Sequence, residues 1–567
     1  MKLHIPLQHV VSTGFVFLFS LSSCNYLDFD ETSGLNTKEN MYKYYANAQM
    51  MLTDVYLKVP QDFGIIGGAM RDCGTDDAEF ADQSAEIQSF NNGKWSPVNT
   101  LDEGWFFLEG IRSANDFIDS MKDTDYSKYS TLPDYKGWME QIKLHPYEAR
   151  VLRAYFFLEL AKRYGDVPMP LSKLTTQEAN SIGKTAFDDV IKFIVRECDE
   201  SMEVLPLTHS GLRNNEVGRV TKGVAMAIKA RALLYAASPL HNPSDKKDVW
   251  EKAAKASLDI INLDLYRLDK SSPLNNPTSP EIIFYRMNGA SNTFELRNFP
   301  IRFTEGSRST PNTATFPTQN LVNAFETKNG YPVRLTDAGF VSDDPSFDSA
   351  HPYGNRDPRL ERTVLYDGAS FKGTHIDVAP GGADAPGFNE GGTRTGYYLR
   401  KYLVEKTSFS PSAPVSDKHT YVIYRYAETL LSYAEAMVNA FGDPEYTDET
   451  FTRSALWAIN QVRSNAGMPA IPSGLSKKEF MEKVQNERRV ELAFEDHRFW
   501  DIRRWKIGGE TQREIFGVSV NKTASGQRIY TLLPVEKRVW DDRMYLYPYP
   551  LSEELNNPNL SLNNQGW

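Results

Sequence analysis

The densest chemistry in this 567-residue chain is a run of charge near the C-terminus: Glu487, Arg488, Arg489, Glu491, Glu495, His497, Arg498, Asp501, Arg503 and Arg504. Glu491 and Glu495 stand four residues apart and share a helix face. With His497 they have the residue types of a metal site or, as paired carboxylates, of a hydrolase. The arginines argue against both. A cation beside a carboxylate lowers its pKa, whereas a general acid needs a raised one. The run therefore reads as a structural network of ion pairs that clamps helices. No HExxH, GxSxG or Walker-type loop occurs. A glycosidase can hold its two carboxylates far apart in sequence, so surface hydrolysis stays as a third reading behind two binding readings.

Recognition is the other chemistry on offer. Trp95 sits among the turn formers of Phe90-Asn91-Asn92-Gly93-Lys94-Trp95-Ser96-Pro97, off any helical stripe. There it can present a broad apolar face to the C–H side of a sugar ring, or plug an interface between lobes. Arg71, Asp76, Asp77 and Asn99 lie in the same segment and could complete such a site with hydrogen bonds. A second patch is Phe303-Thr304-Glu305-Gly306-Ser307-Arg308, with Tyr285 and Phe316 nearby. A third is Arg394-Thr395-Gly396-Tyr397-Tyr398. Trp105, Trp138, Trp457, Trp500 and Trp505 fall in helical segments and are expected in the core.

These residues must be carried by helices. Val151, Ala154, Tyr155 and Leu158 recur at helical spacing, and Gly165 ends that helix ahead of Pro168 and Pro170. A second helix follows Thr221, an N-cap, through an alanine-rich stretch to Pro239. A third is expected from about Tyr421 to Ala440, broken by Gly442-Asp443-Pro444, with a partner from Phe451 to about Ser464. Ser476 and Glu479 form a capping box at the start of another. Paired helices of this kind suggest tetratricopeptide-like stacking without a strict period. Between about Pro273 and Gly396 the helical pattern gives way to Gly, Pro, Asn and Ser, a loop-rich region of the length that usually carries function. The expected organisation is a leader over residues 1–23, a helical scaffold over 24–272, a loop-rich lobe over 273–420, and a C-terminal region over 421–567 that completes the scaffold.

The leader has its own chemistry. Lys2 precedes a short apolar run from Val10 to Leu21, and Leu21-Ser22-Ser23 leads into Cys24. The run has signal-peptide length, too short to span a bilayer. Small residues before a cysteine read as a lipobox, so Cys24 is expected to be acylated and to anchor the chain to a membrane. The formal charge of −11 disfavours nucleic acid. Cys73 and Cys198 are expected as unpaired, buried thiols, and nothing has zinc-ligand spacing. No metal or cofactor is expected to serve the chemistry.

Several stretches together resemble the SusD/RagB family, the surface lipoproteins of nutrient-uptake systems in the Bacteroidota. They are Tyr147-Glu148-Ala149-Arg150 through Arg163-Tyr164-Gly165-Asp166, Thr221-Lys222-Gly223 through Ser238-Pro239, and Asp357-Pro358-Arg359-Leu360. Tyr424-Arg425-Tyr426-Ala427-Glu428, the run from Glu487 to Trp505, and the ending from Tyr547 to Trp567 complete the set. Asp28, Asp30 and Glu31 resemble the family's surface-export signal, interspersed with Leu27 and Phe29. The resemblance implies a mostly α fold of tetratricopeptide-like units with an irregular lobe carrying the ligand loops. It implies no catalysis, an outer-membrane site facing outward, and a SusC-like TonB-dependent transporter as partner. It also implies an oligosaccharide cargo or, in one branch, a peptide.

Overall fold

The computed structural model describes residues 41–212, 217–270, 275–306, 314–387 and 392–567. Cys24, the acidic stretch after it and Arg308 lie outside the described residues.

The protein is mostly α-helical. Its principal helices are α1 (Tyr45–Leu57), α2 (Phe106–Lys122), α3 (His145–Tyr164), α4 (Phe187–Met202), α5 (Lys222–Ala237), α6 (Lys247–Ile261), α7 (Tyr426–Phe441), α8 (Ala455–Ala466), α9 (Lys477–Glu491) and the short α10 (Arg498–Arg504). Each of α1 to α7 packs on its successor, and α7 also packs on α8 and α9. The helical stack is thus continuous in space although residues 262–425 interrupt it in sequence.

Local rules explain the ends. Gly165 closes α3 at φ +71°, a conformation that costs glycine little. Thr221 caps α5 by accepting from the Val224 amide, and Ser476 and Glu479 make the reciprocal capping box of α9. Helix α3 is buried nearly all round, its charged Arg153, Glu159, Lys162 and Arg163 included, so it forms the centre of the scaffold. It lies close to α2 because Gly110 faces the Phe156 ring. A Cβ there would come within 2.7 Å of Phe156 Cε2.

Strands are few and paired in twos: β1 (Ala78–Phe80) with β3 (Thr315–Pro317), β2 (Ile282–Ser291) with β4 (Asp417–Arg425), and β5 (Glu514–Lys522) with β6 (Arg528–Lys537), besides shorter pairs. All three pairs are antiparallel. Here one expectation needs correction. Tyr421 to Arg425 is not the first turn of a helix: Tyr421 pairs with Arg286 and Val422 with Tyr285, and α7 begins at Tyr426. Aromatic and β-branched residues suit a pleated surface, and Tyr421-Val422-Ile423-Tyr424 takes that option because β2 supplies a partner.

The charge run is a clamp. Arg425 bonds Glu281, Glu491 and Glu495, while Arg359 bonds Asp357, Glu487 and Glu491. Burial alone would raise the Glu491 carboxyl, but Arg425 and Arg359 hold it down to about 2. That is the reverse of what a general acid requires. Cys73 and Cys198 are separate, free and buried. Trp138, Trp500 and Trp505 are in the core, and Trp105 and Trp457 are half-buried.

Candidate functional site

Most of the residues singled out for binding turn out to be engaged inside the protein. Trp95 is 1% exposed. Phe90, Tyr547 and Trp567 meet its ring edge to face at 4.7, 4.8 and 5.0 Å between centroids. No face remains for a sugar, so Trp95 is a plug that joins the N-terminal loop to the C-terminal segment. Arg71 is buried and paired with Asp102 and Asp496. Asp76 is buried against Arg489 and Arg498, and Asp77 against Arg489. Charges so buried stay paired because exposing one partner alone is costly. Phe316 is fully buried against Tyr398, and the Tyr397 hydroxyl is buried on Gln319 and Tyr353. These six side chains hold the fold through internal partners, although Arg71 and Asp76 also reach the walls of cavities.

The remaining candidates are apart from one another. Asn99 is exposed on a surface turn, its Nδ2 donating to the Lys94 carbonyl at 3.0 Å. Phe303 is half-buried under the Arg302 guanidinium, 4.3 Å from its ring centroid. Tyr285 lines a separate cleft with Leu207, Val217 and Leu265.

Arg394 faces a groove built from several parts of the chain. The groove encloses about 640 Å³ and is lined by Ala81–Ser84 after β1, by the lobe at 386–387 and 392–394, and by Leu533–Val535 of β6. Its construction explains the position of Arg394. Thr393 and Thr395 on either side are buried. Thr393 Oγ1 accepts from the amides of Thr395, Gly396 and Tyr397, and Thr395 Oγ1 donates to the Pro317 carbonyl at 2.6 Å. The turn also lies backbone against backbone on β5. The Val518 amide donates to the Thr395 carbonyl at 2.8 Å, and a Cβ on Gly517 would come within 2.4 Å of that carbonyl oxygen. Gly396 and Gly517 are therefore required by the close approach. A turn pinned this way leaves the Arg394 side chain, 37% exposed, as its projecting group.

Beneath the groove the charges are layered. Glu79 is buried and bonded by Arg538 Nη2 at 2.9 Å, with Arg394 Nε 3.7 Å from its other oxygen. Arg394 Nε is sealed from solvent without a hydrogen-bond partner. That nitrogen faces Glu79 and not the groove, whereas the Arg394 Nη groups make no hydrogen bond to a described residue and are the donors left for a ligand. Glu536 is hydrogen-bonded to Glu79, and burial, offset by Arg538 and reinforced by Glu79, pushes its carboxyl up to about 7. Glu79 itself is held low: burial opposes this, but the Glu536 hydrogen bond and Arg538 prevail. On the rim, Asp82 accepts from the Ser84 amide and hydroxyl, and Gln83 and Ser84 are exposed. The arrangement offers an array of hydrogen-bonding groups to a polar chain laid in the groove.

Sequence reasoning missed Asp82, Gln83, Ser84 and the Leu533–Val535 edge. The polar turn Asp82-Gln83-Ser84 between two apolar stretches was a usable signal. Nothing local marks the hairpin edge, which reaches the groove only through tertiary packing.

A family model described as the SusD family matches residues 280–567. SusD-like protein P38 of Formosa agariphila is 31% identical over 146 residues, 24% of this chain and 25% of that protein, so the match spans about a quarter of its length. SusD-like protein P25 of the same organism is 22% identical across 87% of this chain and 89% of its own length. Among solved structures, a SusD-like carbohydrate binding protein from Bacteroides fragilis superposes with a TM-score of 0.72 at 26% identity, covering 92% of this chain and 99% of the other.

Proposed function

The chain belongs to the SusD family, and on that premise we propose that it is a binding protein that captures oligosaccharides in the Arg394 groove. The observation that carries this reading is the Arg394 side chain, flanked by buried threonines at a groove of about 640 Å³ and, 37% exposed, making no hydrogen bond to a described residue. A planar group with several N–H donors suits the ring and hydroxyl oxygens of a sugar chain. The carbohydrate-binding relative from Bacteroides fragilis supports the same cargo class. The protein is a lipoprotein acylated at Cys24, held at the outer membrane and facing outward, that hands its cargo to a SusC-like TonB-dependent transporter. No helix among the described residues is long and apolar enough to cross a membrane, which accords with a lipid anchor. Its role is capture and delivery, without catalysis.

Peptide capture is the second reading, and one observation favours it: none of the described residues lining the groove is aromatic. Sugar sites commonly stack a ring on an aromatic face, whereas an extended peptide needs backbone and side-chain hydrogen bonds. An affinity-gel screen of polysaccharides, run beside a panel of peptides, separates the two. Retardation by a polysaccharide that is lost in Arg394→Ala supports glycan capture. Binding of peptides alone replaces it with the second reading.

A further inference from the structure

A second cavity lies inside the scaffold and shares no lining residue with the groove. It encloses about 400 Å³ between the end of α1, the start of α2, α3, α5, β4 and the turn before α10. Six cationic and six carboxylate side chains line it. Most of the interior ones are already paired with each other: Arg71 with Asp102 and Asp496, Arg163 with Asp102, and Lys162 with Glu159. His497 adds no charge, because burial and then Arg488 push its pKa well below the usual histidine range. A wall balanced in this way offers a net ion no advantage, since binding one would break an existing pair.

What the wall does leave free is hydroxyl chemistry. Tyr155 of α3, Tyr235 of α5 and Tyr421 of β4 are 3%, 6% and 7% exposed and line the cavity. None of their phenol oxygens is hydrogen-bonded to a described residue, yet none is among the polar atoms sealed from solvent space. Buried hydroxyls are normally satisfied, so these three offer hydrogen-bonding capacity to whatever fills the cavity. The entrance is passable. Leu57 and Phe106 at its rim are 60% and 44% exposed, and the Lys58–Glu109 ion pair beside them is a surface one. Phe106, against Phe107, gives an apolar face at the mouth. Water alone could satisfy the phenols, and the volume equals roughly a dozen liquid-water volumes. A single sugar ring or a comparable polyol also fits it and offers hydroxyls to all three.

We infer that this cavity is a second binding site, for one neutral, polyhydroxylated small molecule of monosaccharide size, contacted by the Tyr155, Tyr235 and Tyr421 hydroxyls. The inference does not depend on the groove's cargo, and size separates the two sites: a hexasaccharide reports on the groove and is too large for the cavity.

The test titrates the full chain with D-glucose, D-galactose, D-mannose and myo-inositol up to about 50 mM, a range that reaches millimolar affinities. Binding is followed by calorimetry and by intrinsic tryptophan fluorescence, to which Trp500 in the cavity wall contributes. At least one probe is expected to bind. Tyr155→Phe combined with Tyr421→Phe is expected to weaken it at least tenfold, because the rings and their packing stay while the hydroxyls go. Tyr235→Phe alone provides a second variant should the double variant melt early. No response from the wild type to any probe, or undiminished binding in folded Tyr→Phe variants, would each overturn the inference and leave a water-filled cavity or a different ligand class.

Discussion

Replacing Trp95 by alanine removes one of the largest fully buried side chains in the protein, and the expected consequence is structural. Trp→Ala in a core costs about 3–5 kcal/mol through lost burial and the cavity left behind. Each of the three edge-to-face contacts with Phe90, Tyr547 and Trp567 adds roughly 0.5–1.5 kcal/mol that alanine cannot recover. Trp567 is half-buried and its ring can shift into the space, which relieves part of the loss. A net destabilisation of about 4 kcal/mol follows. Unfolding entropy near 2.1 cal/mol/K per residue makes that a fall of roughly 3–4 °C in Tm for a chain unfolding as one unit. The assay pairs a thermal melt with a binding titration on the folded fraction. An early melt with normal ligand binding agrees with the plug. An unchanged Tm with binding abolished would refute the reasoning and return Trp95 to a ligand site.

Other perturbations separate further parts of the account. Arg425→Met should cost about 3–5 kcal/mol in denaturant melts, because Glu281, Glu491 and Glu495 lose a shared buried partner; a loss under 1 kcal/mol would deny the clamp. The Glu536 carboxyl, raised to about 7 by burial and its bond with Glu79, binds a proton in the folded state that the unfolded chain releases near 4.5. Its contribution is therefore fully present below pH 4.5 and fades as pH rises through 7, and Glu536→Gln should flatten the Tm profile across that window; an unchanged profile would count against the raised Glu536 carboxyl. Cys24→Ala should leave the melting curve intact and release the protein from membranes into the aqueous phase of a detergent partition, and persistence in the detergent phase would exclude the lipid anchor.

Helix ends were legible because their signals are local: Gly165, Thr221 and the Ser476/Glu479 box each act within a turn of their own position. The clamp was legible in kind, since arginines among acids in one helical run favour pairing over acid chemistry. Tyr421–Arg425 was misread because its strand partner β2 lies far back in the chain, across the lobe. Trp95 stayed open between a sugar face and an interface plug for a related reason. Its turn-forming neighbours suggest exposure, but its cover comes from Tyr547 and Trp567 at the far end of the chain. Arg71, Asp76 and Asp77 have the residue types of a sugar site, and only their tertiary partners show them to be internal ion pairs. Arg394 lies on a groove wall between two buried threonines, its Nε turned toward buried Glu79, a position that only the tertiary packing reveals.

Glycan capture in the Arg394 groove is tested most directly by calorimetric titration of the wild type and Arg394→Ala with oligosaccharides of six or more units released by the affinity-gel screen. A hydrogen bond from a charged group contributes about 1.5–3 kcal/mol, and each 1.4 kcal/mol is tenfold in Kd. The account predicts saccharide binding by the wild type and at least a tenfold weaker Kd for Arg394→Ala at unchanged Tm. Equal affinity in the two proteins, or no saccharide binding beside clear peptide binding, would contradict it.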